Sequence, residues 1–177
     1  MTTHKEFNIP FSGLKVGAHT FEYQINNTFF ESFEYFEFNE TDIVVKVLFN
    51  KMSTVMELEM EANGTVNVAC DLTNEPFDQE VTAGLSLVVK FGDTYNDEDD
   101  EILVIPHGEH QFNIAQYVYE MLVLAVPQKR VHPGVKDGSL KSDALKKLEE
   151  LQPKESKADK DNTDPRWDAL KNLLTDK

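Results

Sequence analysis

The sequence predicts an α+β fold, an antiparallel β-sheet meander packed with one or two helices and followed by a partly disordered helical tail. Three observations carry this. Apolar residues alternate with polar ones through much of residues 43 to 91, a stretch near residue 114 repeats them at helical spacing, and the charge balance changes after residue 127. With 40% hydrophobic and 28% charged residues, the 177-residue chain suits one domain with a core plus an appendage.

The elements follow in order. FNIPF, with Phe7, Ile9 and Phe11 in phase, and HTFEYQI, with Phe21, Tyr23 and Ile25 in phase, are expected strands. Thr28 with Glu31 three residues on forms a capping box before FFESFEYF, where Phe29, Phe30 and Phe33, with Phe36 as a further candidate, make an apolar side. IVVKVLF reads as the next strand. In VMELEME, Met56, Leu58 and Met60 alternate with Glu57, Glu59 and Glu61, so one face meets a core and the other meets water. Asn63-Gly64 is a hairpin signal, and TVNVACDL after it puts Val66, Val68, Cys70 and Leu72 on one face. GLSLVVKF, with Leu85, Leu87, Val89 and Phe91, completes four consecutive strands. EILVI is a further strand. Asn113 with Gln116 then caps a helix whose stripe is Ile114, Tyr117, Val118, Met121, Leu122 and Ala125, and Pro127 stops it.

These elements define an acidic α+β domain over 1–127. An extension over 128–152 holds a short helix in SDALKKLEELQP, with Leu145, Leu148 and Leu151 on a narrow stripe. PKESKADKDNT, over 153–163, has no large apolar residue to offset its ordering entropy and is expected to be a disordered linker. A final helix over 164–177 starts with Asp164 at its N-cap and Pro165 at its first turn, and places Trp167, Leu170 and Leu174 on one side.

Charge divides the chain the same way. Residues 1–127 hold 22 acidic against 5 basic side chains, a net −17, whereas residues 128–177 hold 10 acidic and 12 basic ones. A phosphate backbone repels a body charged like the first part, so direct docking on nucleic acid is not expected; a basic protein is the better-matched partner. The acidity also serves solubility. The start of the chain lacks the pattern of a signal peptide and no segment has the apolar length of a membrane span, so a cytoplasmic location without membrane contact is expected.

Candidate chemistry is sparse. His107-Gly108-Glu109-His110 offers two imidazoles and a carboxylate to a divalent metal only if a further ligand comes from elsewhere. The acidic run holding Asp97, Asp99, Asp100 and Glu101 fails as a calcium loop, since counting from Asp97 the glycine position is Ile102 and the final glutamate position is Gly108. It reads instead as a solvated hairpin loop open to a basic partner. Nucleophile-elbow, phosphate-loop and metalloprotease motifs do not occur. Cys70, the only cysteine, excludes an intramolecular disulfide, and its phase makes it a buried strand residue. No cofactor, metal or catalytic residue is predicted.

The order GTVNVACDLTNEPFDQEV, an acidic stretch, NIAQYVYEMLVLAVPQKRVHPG and a terminal DPRWDALKNLL resembles the YceD family, over most of residues 55 to 175. The resemblance implies a role in accumulation of large-subunit ribosomal RNA. Many members of that family carry Cys-x-x-Cys and a second cysteine pair after the helix's proline. Here Cys70 stands at the first cysteine, Thr73 at the second, and RVHPGVKDG with His132 at the second pair, so the family's zinc-like ligand set is incomplete.

Together these features predict a non-enzymatic ribosome-biogenesis factor that binds a ribosomal or RNA-processing protein of basic character. The candidate partner-binding residues are Asp97, Asp99, Asp100 and Glu101 in the acidic run and Arg166, Trp167, Leu170 and Leu174 in the last helix. The alternative is a metal-dependent RNA-processing enzyme using the acidic run and the His107/His110 turn.

Overall fold

The computed structural model describes residues 4–151 and divides the chain into two compact units, Met1–Leu140 and Lys141–Lys177. The linker expected over 153–163 and the helix over 164–177 lie outside the described residues.

In the first unit, a 3-10 turn at Lys5–Phe7 leads into β1 (Asn8–Ile9), and a second at Phe11–Gly13 leads to β2 (Gly17–Ile25). The expected strand FNIPF is thus mostly turn, although Phe7, Ile9 and Phe11 are all buried as their phase requires. After the short helix α1 (Asn27–Glu31) come β3 (Glu40–Lys51), β4 (Val55–Ala69) and β5 (Pro76–Gly92), three long strands paired in antiparallel fashion. The chain then forms a hairpin from β6 (Asn96–Asp99) and β7 (Ile102–Pro106). The sheet order is β2-β3-β4-β5-β7-β6, with β7 parallel to β5 from Val88↔Ile102 to Gly92↔Pro106. The meander is therefore mixed at one end.

β8 (Phe112–Asn113) pairs with β1, and helix α2 (Ala115–Ala125) packs against β5. The Asn113 side chain accepts the Ala115 N–H at 2.9 Å, but Ile114 is the N-cap and Gln116 bonds Glu120, so the expected capping box is not made. One face of β4 (Met56, Leu58, Met60, Ala62, Val66, Val68) meets Ile43, Val45, Val47 and Phe49 of β3, Leu87 and Val89 of β5, and Val118 and Leu122 of α2 in a single core. α3 (Pro133–Lys136) closes the unit. In the second unit, α4 (Asp143–Leu151) is the expected short helix, with Leu148 and Leu151 exposed.

Two local expectations give way. Asn63-Gly64 is not a hairpin but the middle of β4, opposite Val44 and Ile43. A Cβ on Gly64 would stand 2.2 Å from the Asp42 carbonyl oxygen and 2.5 Å from the Ile43 Cα, so the glycine is needed for close backbone approach rather than for a turn. The reversal between β4 and β5 lies further on, at residues 70–75, where Asn74 takes a left-handed φ of 59° and its N–H reaches the Cys70 carbonyl at 2.8 Å. The capping box at Thr28 also fails: the N-cap is Asn26, whose Oδ1 accepts the Thr28 hydroxyl, and the helix lasts little more than a turn. Glu34 at φ 60° breaks it, sending Phe36 to solvent while Phe33 stacks on Tyr119 at 4.4 Å.

Candidate functional site

A groove of about 690 Å³ lies between α2, the middle of β5 and the β6–β7 hairpin. Its apolar lining comes from Ala83 and Leu85 on β5 and from Met121, Leu124 and Ala125 on α2, with the rings of Tyr95 and Tyr117 beside them. Leu124 is 83% exposed, a large aliphatic side chain left uncovered at the helix end. Asp97, Asp99, Asp100 and Glu120 supply its charge, and among the described residues no lysine, arginine or histidine lines it. None of the ion pairs among the described residues involves these carboxylates.

Short-range bonds shape the acidic wall. Asn96 Oδ1 accepts the Glu98 N–H at 3.0 Å, and Asp99 Oδ1 accepts the Glu101 N–H at 2.9 Å, two side-chain turns that hold the hairpin tip. The Tyr95 hydroxyl donates to Asp97 at 3.2 Å. The Tyr117 hydroxyl oxygen, in contrast, is buried without a hydrogen-bond partner. Burial, reinforced by Tyr95, Asp97 and Glu120 nearby, pushes the Tyr117 phenol up to about 12.

Of the four acids singled out from sequence, Asp97, Asp99 and Asp100 share this groove. Glu101 does not line it; its backbone carbonyl accepts the Val88 N–H at 2.8 Å instead. Arg166, Trp167, Leu170 and Leu174 lie outside the described residues. Tyr117, Glu120 and Leu124 were not among the sequence candidates, though Leu124, an aliphatic residue off the α2 stripe, was the available signal. His107 and His110 are not part of the groove: the His107 ring stacks on Phe91 at 5.8 Å, and the His110 carbonyl accepts the Ser12 N–H. Among the described residues, no group of three or more His, Cys, Asp or Glu side chains is arranged to hold a metal.

A second cluster surrounds Cys70, which is buried as its phase requires but stands just past the end of β4, at the start of the turn, rather than in the strand. The segment after α2 returns to the β4–β5 turn. There the Asp71 N–H donates to the Arg130 carbonyl at 2.8 Å, and the Arg130 N–H donates to the Asp71 carboxylate at 2.6 Å. The Arg130 guanidinium reaches Glu37 at 3.2 Å. Two residues on, the His132 N–H donates to Cys70 Sγ at 3.3 Å, while its imidazole sits edge-on to Phe77 and accepts the Gly134 N–H. Burial pushes the Cys70 thiol up, but hydrogen bonds from His132, Thr73 and Leu72 outweigh it and hold the thiol below its ordinary value. Cys70, Thr73 and His132, separated in sequence, thus meet in one hydrogen-bonded knot.

The architecture is that of a sheet-and-helix domain with a charged, partly apolar groove, a form suited to holding another molecule. Residues 58–174 match the family described as Large ribosomal RNA subunit accumulation protein YceD. The match covers more than half of the chain, and the chain belongs to the YceD family. Membership implies a role in accumulation of large-subunit ribosomal RNA. No curated protein and no solved structure matches the chain. No helix among the described residues is long and apolar enough to cross a membrane.

Proposed function

We propose that the protein is a non-enzymatic ribosome-biogenesis factor that supports large-subunit ribosomal RNA by holding a basic ribosomal or RNA-processing protein in the cytoplasm. The observation that carries this is the groove itself, with carboxylates from the hairpin and from α2, no cation among the described residues of its lining, and exposed Leu124. A basic protein supplies the missing positive charge, whereas RNA would bring phosphates to a surface that repels them.

The test is genetic. Deleting the gene is expected to lower large-subunit RNA relative to small-subunit RNA, and a triple Asp97→Asn, Asp99→Asn, Asp100→Asn variant that still folds is expected not to restore the ratio. An unchanged ratio after deletion would sink the proposal. Cleavage of precursor RNA by purified protein with magnesium or manganese would overturn its non-enzymatic part.

A further inference from the structure

The groove has a property that its charge does not disclose: one wall is an unpaired strand edge. β5 is paired with β4 from Lys90↔Val55 to Pro76↔Ala69, but β7 covers its other side only from Val88 onward. The Val88 N–H points to β7, where it reaches the Glu101 carbonyl. Successive residues of a strand alternate in direction, and the β4–β5 register runs without a shift. The N–H and C=O groups of Ser86, Gly84, Thr82 and Glu80 therefore face the same way as those of Val88, into a stretch of edge that no strand among the described residues occupies. The Glu80 carbonyl accepts the side-chain amide of its neighbour Gln79 at 3.0 Å, as a carbonyl turned away from the ladder can.

Ala83, Gly84 and Leu85 of this edge line the groove, Asp99 and Asp100 stand at its β7 end, and Tyr117 and Leu124 flank it from α2. An open edge of this kind is a template for strand addition. We infer that the groove binds an extended basic segment of a partner protein as an added strand on β5, in line with β7. In such a strand one set of alternating side chains continues the inner face of the sheet and meets Leu85, Tyr117 and Leu124. The other set continues the outer face, where Asp78 and Glu80 project from β5, and a cation at the β7 end meets Asp99 and Asp100. The pattern it takes is therefore alternating apolar and basic. The partnerless Tyr117 hydroxyl, buried beside the groove, is a polar atom that an incoming chain can satisfy. A second copy of the chain fits poorly, because it would set one carboxylate-lined groove against another.

This inference rests on the basic-partner reading and is tested separately from it. The probe is a synthetic peptide of alternating lysine and valine, offered to the full-length protein at low salt beside two controls, one with prolines replacing alternate valines and one with glutamates replacing the lysines. The alternating peptide is expected to bind at least about tenfold more tightly than the proline control, which keeps the charge but loses strand hydrogen bonds, and the glutamate control is expected not to bind. Residue-resolved amide exchange is expected to be fast at Thr82, Gly84 and Ser86 in the free protein and slowed by the peptide. Gly84→Pro removes an outward N–H without touching the β4 ladder and is expected to weaken binding by a similar factor; circular dichroism checks its fold.

Equal binding of the lysine-valine and proline peptides overturns strand addition while leaving a basic partner in place. Protection of these amides in the free monomer overturns it in favour of the chain's own residues as occupant. Protection that rises with protein concentration alongside a dimer overturns it in favour of a second copy.

Discussion

Replacing Gly64 by alanine tests the packing of the central strands. In an open strand such a change gains about 0.5–1 kcal/mol, because glycine loses more freedom on folding. Here the new methyl would stand 2.2 Å from the Asp42 carbonyl oxygen and 2.5 Å from the Ile43 Cα, and both are backbone atoms with no rotamer to yield. Reaching ordinary contact requires β3 and β4 to part locally by about 1 Å, which stretches the flanking ladder bonds beyond useful length. Losing about two such bonds at about 1 kcal/mol each, with about 1–2 kcal/mol of overpacking strain, puts the cost at about 3–4 kcal/mol. A domain of this size is stable by about 5–15 kcal/mol, so the change is a large one. Urea unfolding followed by circular dichroism is expected to show the midpoint falling by roughly 1–3 M. Gly84→Ala is the internal control, since its added carbon lies 3.7 Å from the Met60 carbonyl, an ordinary contact, and is expected to gain the about 0.5–1 kcal/mol of an open strand. A Gly64→Ala protein as stable as its parent would refute the close-approach argument.

Cys70→Ala is expected to cost about 1–2 kcal/mol, from the lost sulfur and from the His132 N–H left without an acceptor, while large-subunit RNA levels stay normal; loss of that RNA in a folded variant would give the thiol a functional part. Spectrophotometric titration is expected to find Tyr23, Tyr35, Tyr95 and Tyr117 all ionising late, with Tyr35 and Tyr117 pushed up to about 12, chiefly by burial and then by Glu37 for Tyr35 and by Tyr95 and Asp97 for Tyr117. Both phenols stay neutral in the folded state after the unfolded chain has begun to ionise near pH 10. The stability they confer is therefore whole below pH 10 and is lost as pH rises toward about 12. Tyrosines that all titrate together near pH 10 would contradict that.

Period-two alternation was a reliable guide where one face of a strand is buried. From Met56 to Cys70 the even-numbered residues are buried except the half-buried Gly64, and that parity correctly buried Cys70. The same parity argued for one strand, yet the local cue of Asn63-Gly64 suggested two, because a glycine needed for backbone approach has the composition of a turn. The helix at Thr28 was misjudged for a related reason: its phenylalanines belong to an aromatic cluster rather than to a helical stripe, with Phe29, Phe33 and His4 packed ring to ring. Parallel pairing of β7 with β5 has no local signature, since it depends on where the hairpin lands. The groove was half legible. Its acids stood out in sequence, while its open edge arises from a mismatch in length between β5 and β7 that only their pairing reveals.

The pairing of β1 with β8 bears on how the protein is made. Asn8 and Asn113 meet through their side chains at 2.6 Å across 105 residues of sequence, and the Phe7 carbonyl accepts the Ile114 N–H. A chain synthesised at about 5–20 residues per second leaves its first strand waiting about 5–20 s for that partner. Phe7, Ile9 and Phe11, all buried in the finished core, lack their β8 cover throughout that interval. The nascent chain is thus open at its first strand while the sheet is growing, and the strand that covers it emerges only after β2 to β7.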